Sequence, residues 1–241
     1  MLENFLDDRL GENEVREFLH WFRHVRIAPN MTKCRFVLGS SIGIDHHLSK
    51  LGASAALNDF ERMVLGEFDD AEIAATFVDQ LFENKDVQIG KAAKQNILQL
   101  VGPPIPYFIQ VLVSEVIKKF AGSDRRVRQK DVEAIYREAV LGGSCKSYFQ
   151  HYYDRLLHYG KSHEKAAKAL LKNLALAGEV PKPELYQQYL KATQQNADVD
   201  GFNDLMSDLE NDFYIKFLPA NDRFVFFSKI LRDWWRRYYS L

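Results

Sequence analysis

The chain has 241 residues, of which 46% are hydrophobic and 13% aromatic, and its formal net charge at pH 7 is -1. This length allows one large domain or two to three small ones, and the near-zero charge gives no overall attraction to nucleic acid or anionic membranes. Cys34 and Cys145 are isolated, so neither a disulfide framework nor a zinc ribbon is indicated. No apolar run is long enough to span a bilayer, and Glu3, Asp7 and Asp8 do not fit a signal peptide. We therefore expect a reduced, cytoplasmic protein.

The first third of the chain predicts one helix followed by two short strands. Apolar residues recur at helical spacing from Val15 to Val25, and Pro29 ends the run. Arg35–Leu38 is a short continuous apolar run, which is typical of a strand buried on both faces of a parallel sheet, and Glu61–Leu65 is predicted as a second short strand. Two strands are too few for a stable sheet of this kind, so we expect the rest of the sheet to come from elsewhere.

From Asp69 onward the sequence predicts a compact helical unit without strands. Asp69 or Asp70 is a suitable N-cap, and Pro106 is suited to the first position of a helix because its missing N–H would be unpaired there. Glycines separate the successive apolar stripes. The predicted helices begin near residue 70 and then cover Gly90–Val101, Pro106–Phe120, Lys130–Leu141 and Tyr148–Tyr159.

The last third predicts three helices, a β-hairpin and a final helix. The hairpin joins Phe213–Leu218 to Arg223–Phe227 through a four-residue turn. Three helices followed by a two-stranded hairpin is the order of a winged helix, a variant of helix-turn-helix. In the final helix the apolar residues from Ile230 to Tyr238, Trp234 and Trp235 among them, form one stripe, which indicates core packing.

Four segments together resemble the P-loop ATPases of the AAA+/STAND type: EFLHWFRHVR, RFVLGSSIGID, GPPIPYFIQ and LENDFYI followed by FFSKILRDWWRRYY. The resemblance covers nearly the whole chain. It implies a mainly α protein with a small α/β remnant, in which residues 1–68 are the distal part of a P-loop ATPase core, residues 69–145 a helical lid and residues 146–241 a C-terminal winged-helix domain.

The chain departs from this family in lacking GxxxxGK[ST], the loop whose backbone and Lys hold phosphate and Mg²⁺. We therefore expect a fragment that is not competent for ATP hydrolysis alone. ATP and Mg²⁺ are expected only together with the missing P-loop portion, supplied by an N-terminal half or a neighbouring subunit. The alternative is a nucleotide-independent protein-interaction module.

The resemblance implies three residues with catalytic roles. Ser41 follows the first predicted strand, where such ATPases place a polar residue that senses the γ-phosphate; it is also suited to a simple turn. Arg23 or Arg26 would be an arginine finger that stabilises transition-state charge on a neighbour's phosphate. An ordinary solvated helix face remains the alternative for both arginines.

The resemblance also implies an adenine contact at the start of a lid helix. STAND-type relatives have a Gly-x-Pro motif there, and this chain has Pro104-Ile105-Pro106, which makes Pro106 and Tyr107 candidate nucleotide contacts. Helix initiation explains Pro106 equally well. Asp45-His46-His47 matches a phosphoesterase signature without the upstream aspartates that signature needs, so no metal site is predicted.

The charge of the predicted recognition helix argues against DNA binding by the usual winged-helix face. No Lys or Arg lies between Ala192 and Ile215, whereas residues 198–212 contain six carboxylates. Because phosphate contacts require cations, this helix would be repelled by a duplex. A DNA-binding regulator is therefore the least favoured function, and we expect a protein partner for the winged helix.

Overall fold

The computed structural model describes residues 11–29, 33–39, 48, 51–61, 63–143, 145–194 and 198–239. The chain divides into two compact units, Met1–Val64 and Leu65–Leu241. Within the described ranges, none of the helices combines the length and the apolarity needed to cross a bilayer. The division into core, lid and winged-helix domains stays a prediction.

The first unit is built on helix α1 (Glu12–Ile27), whose N-cap is Gly11. Val15 and Leu19 on its inner face are buried. They belong to a small apolar cluster with Ala56, which lies on a 3₁₀ turn at Ser54–Leu57.

The two strands predicted in this first third are not formed. Residues 34–39 and 63–65 have no regular secondary structure, and, Arg35 aside, their backbone N–H groups make no backbone hydrogen bond to the described part of the chain. Val37, Met63 and Leu65 are 94%, 82% and 85% exposed. The prediction of buried strands is wrong for the described part of this chain, because a strand needs a neighbouring strand to complete its hydrogen bonds and no ladder forms at these two segments.

The second unit begins with a series of helices, as the sequence predicts. The side chain of Asp70 accepts a hydrogen bond from the Glu72 N–H at 2.6 Å, and Pro106 occupies the first turn of its helix. A π-helical turn, Tyr136–Val140, and a 3₁₀ turn, Leu156–Tyr159, each follow a helix directly. The helices are α2 (Ala71–Phe82), α3 (Lys91–Val101), α4 (Pro106–Phe120), α5 (Gln129–Ile135) and α6 (Lys146–Arg155).

The remainder of this unit adds further helices around a three-stranded antiparallel sheet. The order of the strands is β1-β3-β2, and Phe224 in the central strand lies opposite Val180 on one side and Phe217 on the other. The predicted hairpin is confirmed, whereas β1 was not predicted. The elements are α7 (Lys161–Ala177), β1 (Glu179–Pro181), α8 (Lys182–Ala192), α9 (Val199–Asn211), β2 (Ile215–Leu218), β3 (Arg223–Phe226) and α10 (Lys229–Tyr239).

One hydrophobic core runs through the whole second unit. Its buried residues extend from Val78 in α2 to Trp235 in α10. Phe108 of α4 stacks on Phe149 of α6 with ring centroids 6.0 Å apart, which joins the predicted lid to the predicted winged-helix domain. Trp234 and Trp235 are buried, so the predicted core role of this stripe is confirmed.

Candidate functional site

Arg26 is held tightly within the first unit. Its Nε and Nη2 donate to the Asp59 carboxylate at 3.2 and 2.7 Å, and Nη2 also donates to the Ala56 carbonyl. The guanidinium lies 4.3 Å from the centroid of the Phe22 ring and 4.6 Å from that of Phe60. Its side chain is 4% exposed, and its hydrogen bond holds the pKa of the Asp59 carboxyl below the ordinary value. This geometry joins α1 to the segment after the 3₁₀ turn.

Arg23 lies one turn earlier on α1 and is held by fewer contacts. Its Nη1 donates to the Ala55 carbonyl at 2.5 Å. No carboxylate within the described ranges forms an ion pair with it. Arg23 can therefore turn its guanidinium toward an anion at the cost of one hydrogen bond, whereas Arg26 would have to leave a bidentate pair.

Ser41 lies outside the residues that the structure describes, as does the Asp45-His46-His47 segment. The roles implied for Ser41, Arg23 and Arg26 stay predictions. Within the described ranges, no group of three or more His, Cys, Asp and Glu side chains could hold a metal ion.

Pro106 and Tyr107 are the first two residues of α4 and belong to the second unit, whereas Arg23 and Arg26 belong to the first. Ile105 provides the N-cap backbone, and Pro106 has the first-turn position that the sequence predicts. The ring of Tyr107 packs against His151 with centroids 6.3 Å apart, and burial raises the pKa of Tyr107 to about 12. The phenol is therefore neutral at pH 7, and its half-buried ring offers an apolar face rather than a charge.

The loop that leads to Pro106 packs closely against the last helix. Gly102 has φ +83°, a conformation that side chains other than glycine rarely adopt. A Cβ at Gly102 would lie 2.7 Å from the Lys229 Cβ at the start of α10. The carbonyl of Pro104 accepts a hydrogen bond from the Phe68 N–H at 3.1 Å. Contacts with Phe68 and with Lys229 thus fix the loop, and the lack of a side chain at Gly102 allows the loop to lie close to α10.

A polar cluster that sequence reasoning missed lies beside this contact. Asp233 of α10 accepts hydrogen bonds from Tyr136 at 2.9 Å, Lys229 at 2.5 Å and Arg232 at 3.0 Å. Burial opposes ionisation of Asp233, but these donors outweigh it and keep the pKa of the carboxyl below its ordinary value. The Lys229 spacing of four residues was visible in the sequence, but nothing local indicated Tyr136, which is 97 residues away.

The acidic helix α9 uses some of its carboxylates internally. Asp208 and Asp212 are buried, and Tyr159 donates its hydroxyl to Asp212 at 2.5 Å. Burial and then the charge of Asp212 raise the pKa of Tyr159, so the hydroxyl remains a donor. Asp198 caps the helix by accepting from the Gly201 N–H at 2.8 Å. Asp200 and Asp204 are exposed, so the outer face of α9 remains acidic.

In comparisons with known proteins, no family model and no curated protein matches the chain. Among solved structures, the chain is similar to a Walker-type ATPase of Pyrococcus abyssi, with 14% sequence identity and a TM-score of 0.62. The match covers 94% of this chain and 59% of that one. At this identity the likeness shows the fold alone: the chain has the fold of a P-loop ATPase-like protein and spans little more than half the length of the structure it matches.

Proposed function

We propose that this chain is the distal part of a Walker-type ATP-binding protein of the STAND class and that it acts as the nucleotide-sensing lid and winged-helix module. The observation that carries the proposal is the likeness in fold over 94% of the chain to a Walker-type ATPase. The exposed apolar segments 34–39 and 63–65 add support, since buried strands of a parallel sheet have this composition.

In this proposal the P-loop part supplies the strands that residues 34–39 and 63–65 lack. It also supplies the backbone N–H groups and the Lys that hold ATP and Mg²⁺. The chain alone then neither binds ATP tightly nor hydrolyses it. Arg23, rather than Arg26, is the residue we assign to contact phosphate, because Arg26 is committed to Asp59. Pro106 and Tyr107 would pack on the adenine.

We assign residues 146–241 to a winged helix. The helix–strand–helix–helix–hairpin order, with the hairpin strand β3 in the centre of the sheet, supports this assignment. Val78 and Trp235 belong to the same hydrophobic core, which supports the view that the second unit moves as one body. In this proposal, nucleotide binding repositions the lid and the winged helix together.

The test is binding of a fluorescent ATP analogue, mant-ATP, with Mg²⁺. The chain is measured alone and after co-expression with a P-loop polypeptide that forms a complex with it. The proposal predicts saturable binding to the complex, and none to the chain alone or to a complex whose P-loop Lys is changed to Ala. Tyr107→Ala should weaken binding by about 5- to 150-fold, which corresponds to about 1–3 kcal/mol for one stacking contact, whereas Tyr148→Ala, at an exposed tyrosine of α6, should not weaken it.

A nucleotide-independent interaction module is the second candidate. It is favoured by a groove along α2 in which the apolar side chains of Phe68, Ile73 and Phe77 lie beside polar ones, with Ile73 exposed; the polar lining residues are Asp70, Glu72, Thr76 and Gln80. A stable complex that binds no mant-ATP would support this candidate and contradict the nucleotide proposal.

A further inference from the structure

Four lysines form a continuous ridge on helix α7. Lys161, Lys165, Lys168 and Lys172 are spaced four, three and four residues apart. At 100° per residue, all four fall within an arc of about 60°, over about 16 Å of helix. This lysine ridge lies opposite the buried side of α7, which carries Leu170, Leu171 and Leu174. Lys161, Lys165 and Lys172 are exposed, whereas the side chain of Lys168 is 20% exposed.

Aromatic rings hold two of these lysines in place. The Lys168 ammonium lies 4.1 Å from the centroid of the Tyr153 ring, and the Lys172 ammonium lies 5.1 Å from that of Tyr239. Tyr238, beside them on α10, is 47% exposed, and its ring centroid is 5.1 Å from that of Tyr153. The ridge therefore ends at a cluster of tyrosine rings, one of which presents much of its surface to solvent.

The lysine ridge carries positive charge that is only partly neutralised by ion pairs in the described part of the chain. Lys168 pairs with Glu164, but no ion pair within the described ranges involves Lys161, Lys165 or Lys172. Neighbouring lysines three or four residues apart repel one another along a helix. Lys161 also lies in the first turn of α7, where the helix dipole already disfavours a cation. An anion on this face would relieve both effects.

We propose that the lysine ridge binds the phosphate backbone of nucleic acid without sequence preference. This surface is separate from α9, the acidic helix at the recognition position of a winged helix. Each strand of a duplex carries one phosphate per 3.4 Å of axis, so the ridge spans about five phosphates of one strand. Lysines bind phosphate as point charges, and the ridge offers no Arg, Asn or Gln to read base edges. The exposed face of Tyr238 can add stacking with an unpaired base.

The proposal is independent of ATP binding, and the test uses the whole chain. Fluorescence anisotropy is recorded with a labelled duplex of about 20 base pairs and with one of its single strands, between about 50 and 200 mM salt. We expect binding to both, tighter for the single strand if Tyr238 stacks. The logarithm of affinity should fall with the logarithm of salt with a slope of about -3, for three to four phosphate contacts.

The triple variant Lys161→Gln, Lys165→Gln, Lys172→Gln should lose at least about tenfold in affinity and most of the salt slope. A matched control changes three exposed lysines elsewhere in the same unit, Lys85, Lys119 and Lys130, to Gln and should stay within about twofold of the wild type. Circular dichroism checks that both variants keep their helices.

Three results would overturn the proposal. One is an equal loss in the two triple variants, and another is binding that does not depend on salt. The third is displacement of the labelled duplex by polyglutamate at lower concentration than by unlabelled duplex, which would indicate an acidic protein partner. Asp200→Asn with Asp204→Asn separates the two faces: a large gain in affinity would place the nucleic acid on α9 instead.

Discussion

Tyr136 donates its hydroxyl to the Asp233 carboxylate at 2.9 Å, although 97 residues separate the two in the chain. Tyr136 begins the π-helical turn after α5, and Asp233 lies in the first half of α10. The Lys229 ammonium contacts both residues: it donates a hydrogen bond to the Asp233 carboxylate and lies 5.2 Å from the centroid of the Tyr136 ring. This cluster links the early helices of the second unit to its last helix.

Tyr136→Phe should reduce the free energy of unfolding by about 1–2 kcal/mol, because a hydrogen bond to a half-buried carboxylate is lost. Urea unfolding followed by circular dichroism measures the change. Tyr148→Phe, at an exposed tyrosine, is the control and should have little effect. Equal stability of Tyr136→Phe and the wild type would mean that Lys229 and Arg232 alone satisfy Asp233.

Protonation of Asp233 should make the second unit less stable in acid. Its folded pKa lies below the ordinary value of 3.8, so its contribution to stability is present above about pH 4 and is lost as pH falls through the folded pKa. The difference in unfolding free energy between wild type and Asp233→Asn should therefore be larger at pH 7 than at pH 3. The same difference at both pH values would contradict the lowered pKa.

Gly102→Ala should destabilise the protein more than Gly122→Ala. Both glycines have positive φ, +83° and +72°, so each substitution carries a conformational cost of at least about 1 kcal/mol, and this cost is larger at Gly102, whose ψ of -125° lies outside the left-handed helical region. A Cβ at Gly102 would also meet Lys229, whereas a Cβ at Gly122 meets nothing within 4 Å. We expect a further loss of about 1–3 kcal/mol for Gly102→Ala from this overlap, measured by urea unfolding. Equal losses would show that α10 can shift away from the loop.

Arg26→Lys should destabilise the first unit, because Lys keeps the charge but cannot form the bidentate pair with Asp59 or offer a planar guanidinium to the rings of Phe22 and Phe60. We expect a loss of about 1–2 kcal/mol, since Asp59 is 36% exposed and solvent weakens the pair. Arg23→Lys is the matched control and should cost less. Limited proteolysis within residues 11–61 reports the opening of this unit. If Arg23→Lys opens it more readily, the structural role belongs to Arg23.

The boundaries of most helices could be predicted because their signals are local. Asp70 caps α2, Pro106 opens α4 and Gly178, with φ +88°, ends α7. β1 escaped prediction because its three residues, Glu179–Pro181, are too few to show alternation, and its place in the sheet depends on β3, more than forty residues away. The π-helical turn at Tyr136–Val140 left no signal in an otherwise helical pattern.

The candidate site was less predictable than the fold. Composition predicted a strand at Arg35–Leu38, and none is formed, because composition does not supply the neighbouring strand that the backbone needs. Likewise, the position of Arg26 on α1 suggested an exposed cation. In the structure Arg26 is instead paired with Asp59, which lies 33 residues away in the sequence. Both outcomes depend on contacts that no local pattern specifies.

Hydrogen exchange in residues 34–39 and 63–65 tests the central claim most directly. Arg35 aside, these residues have no N–H hydrogen bond to backbone in the described part of the chain, and we expect their N–H groups to exchange within seconds in the chain alone. Addition of a P-loop polypeptide that forms a complex with the chain should slow exchange in both segments by at least about a hundredfold, as expected for N–H groups that enter a sheet. Unchanged fast exchange in a complex that has formed would contradict the account, because the two segments would then not be strands of a shared nucleotide-binding core.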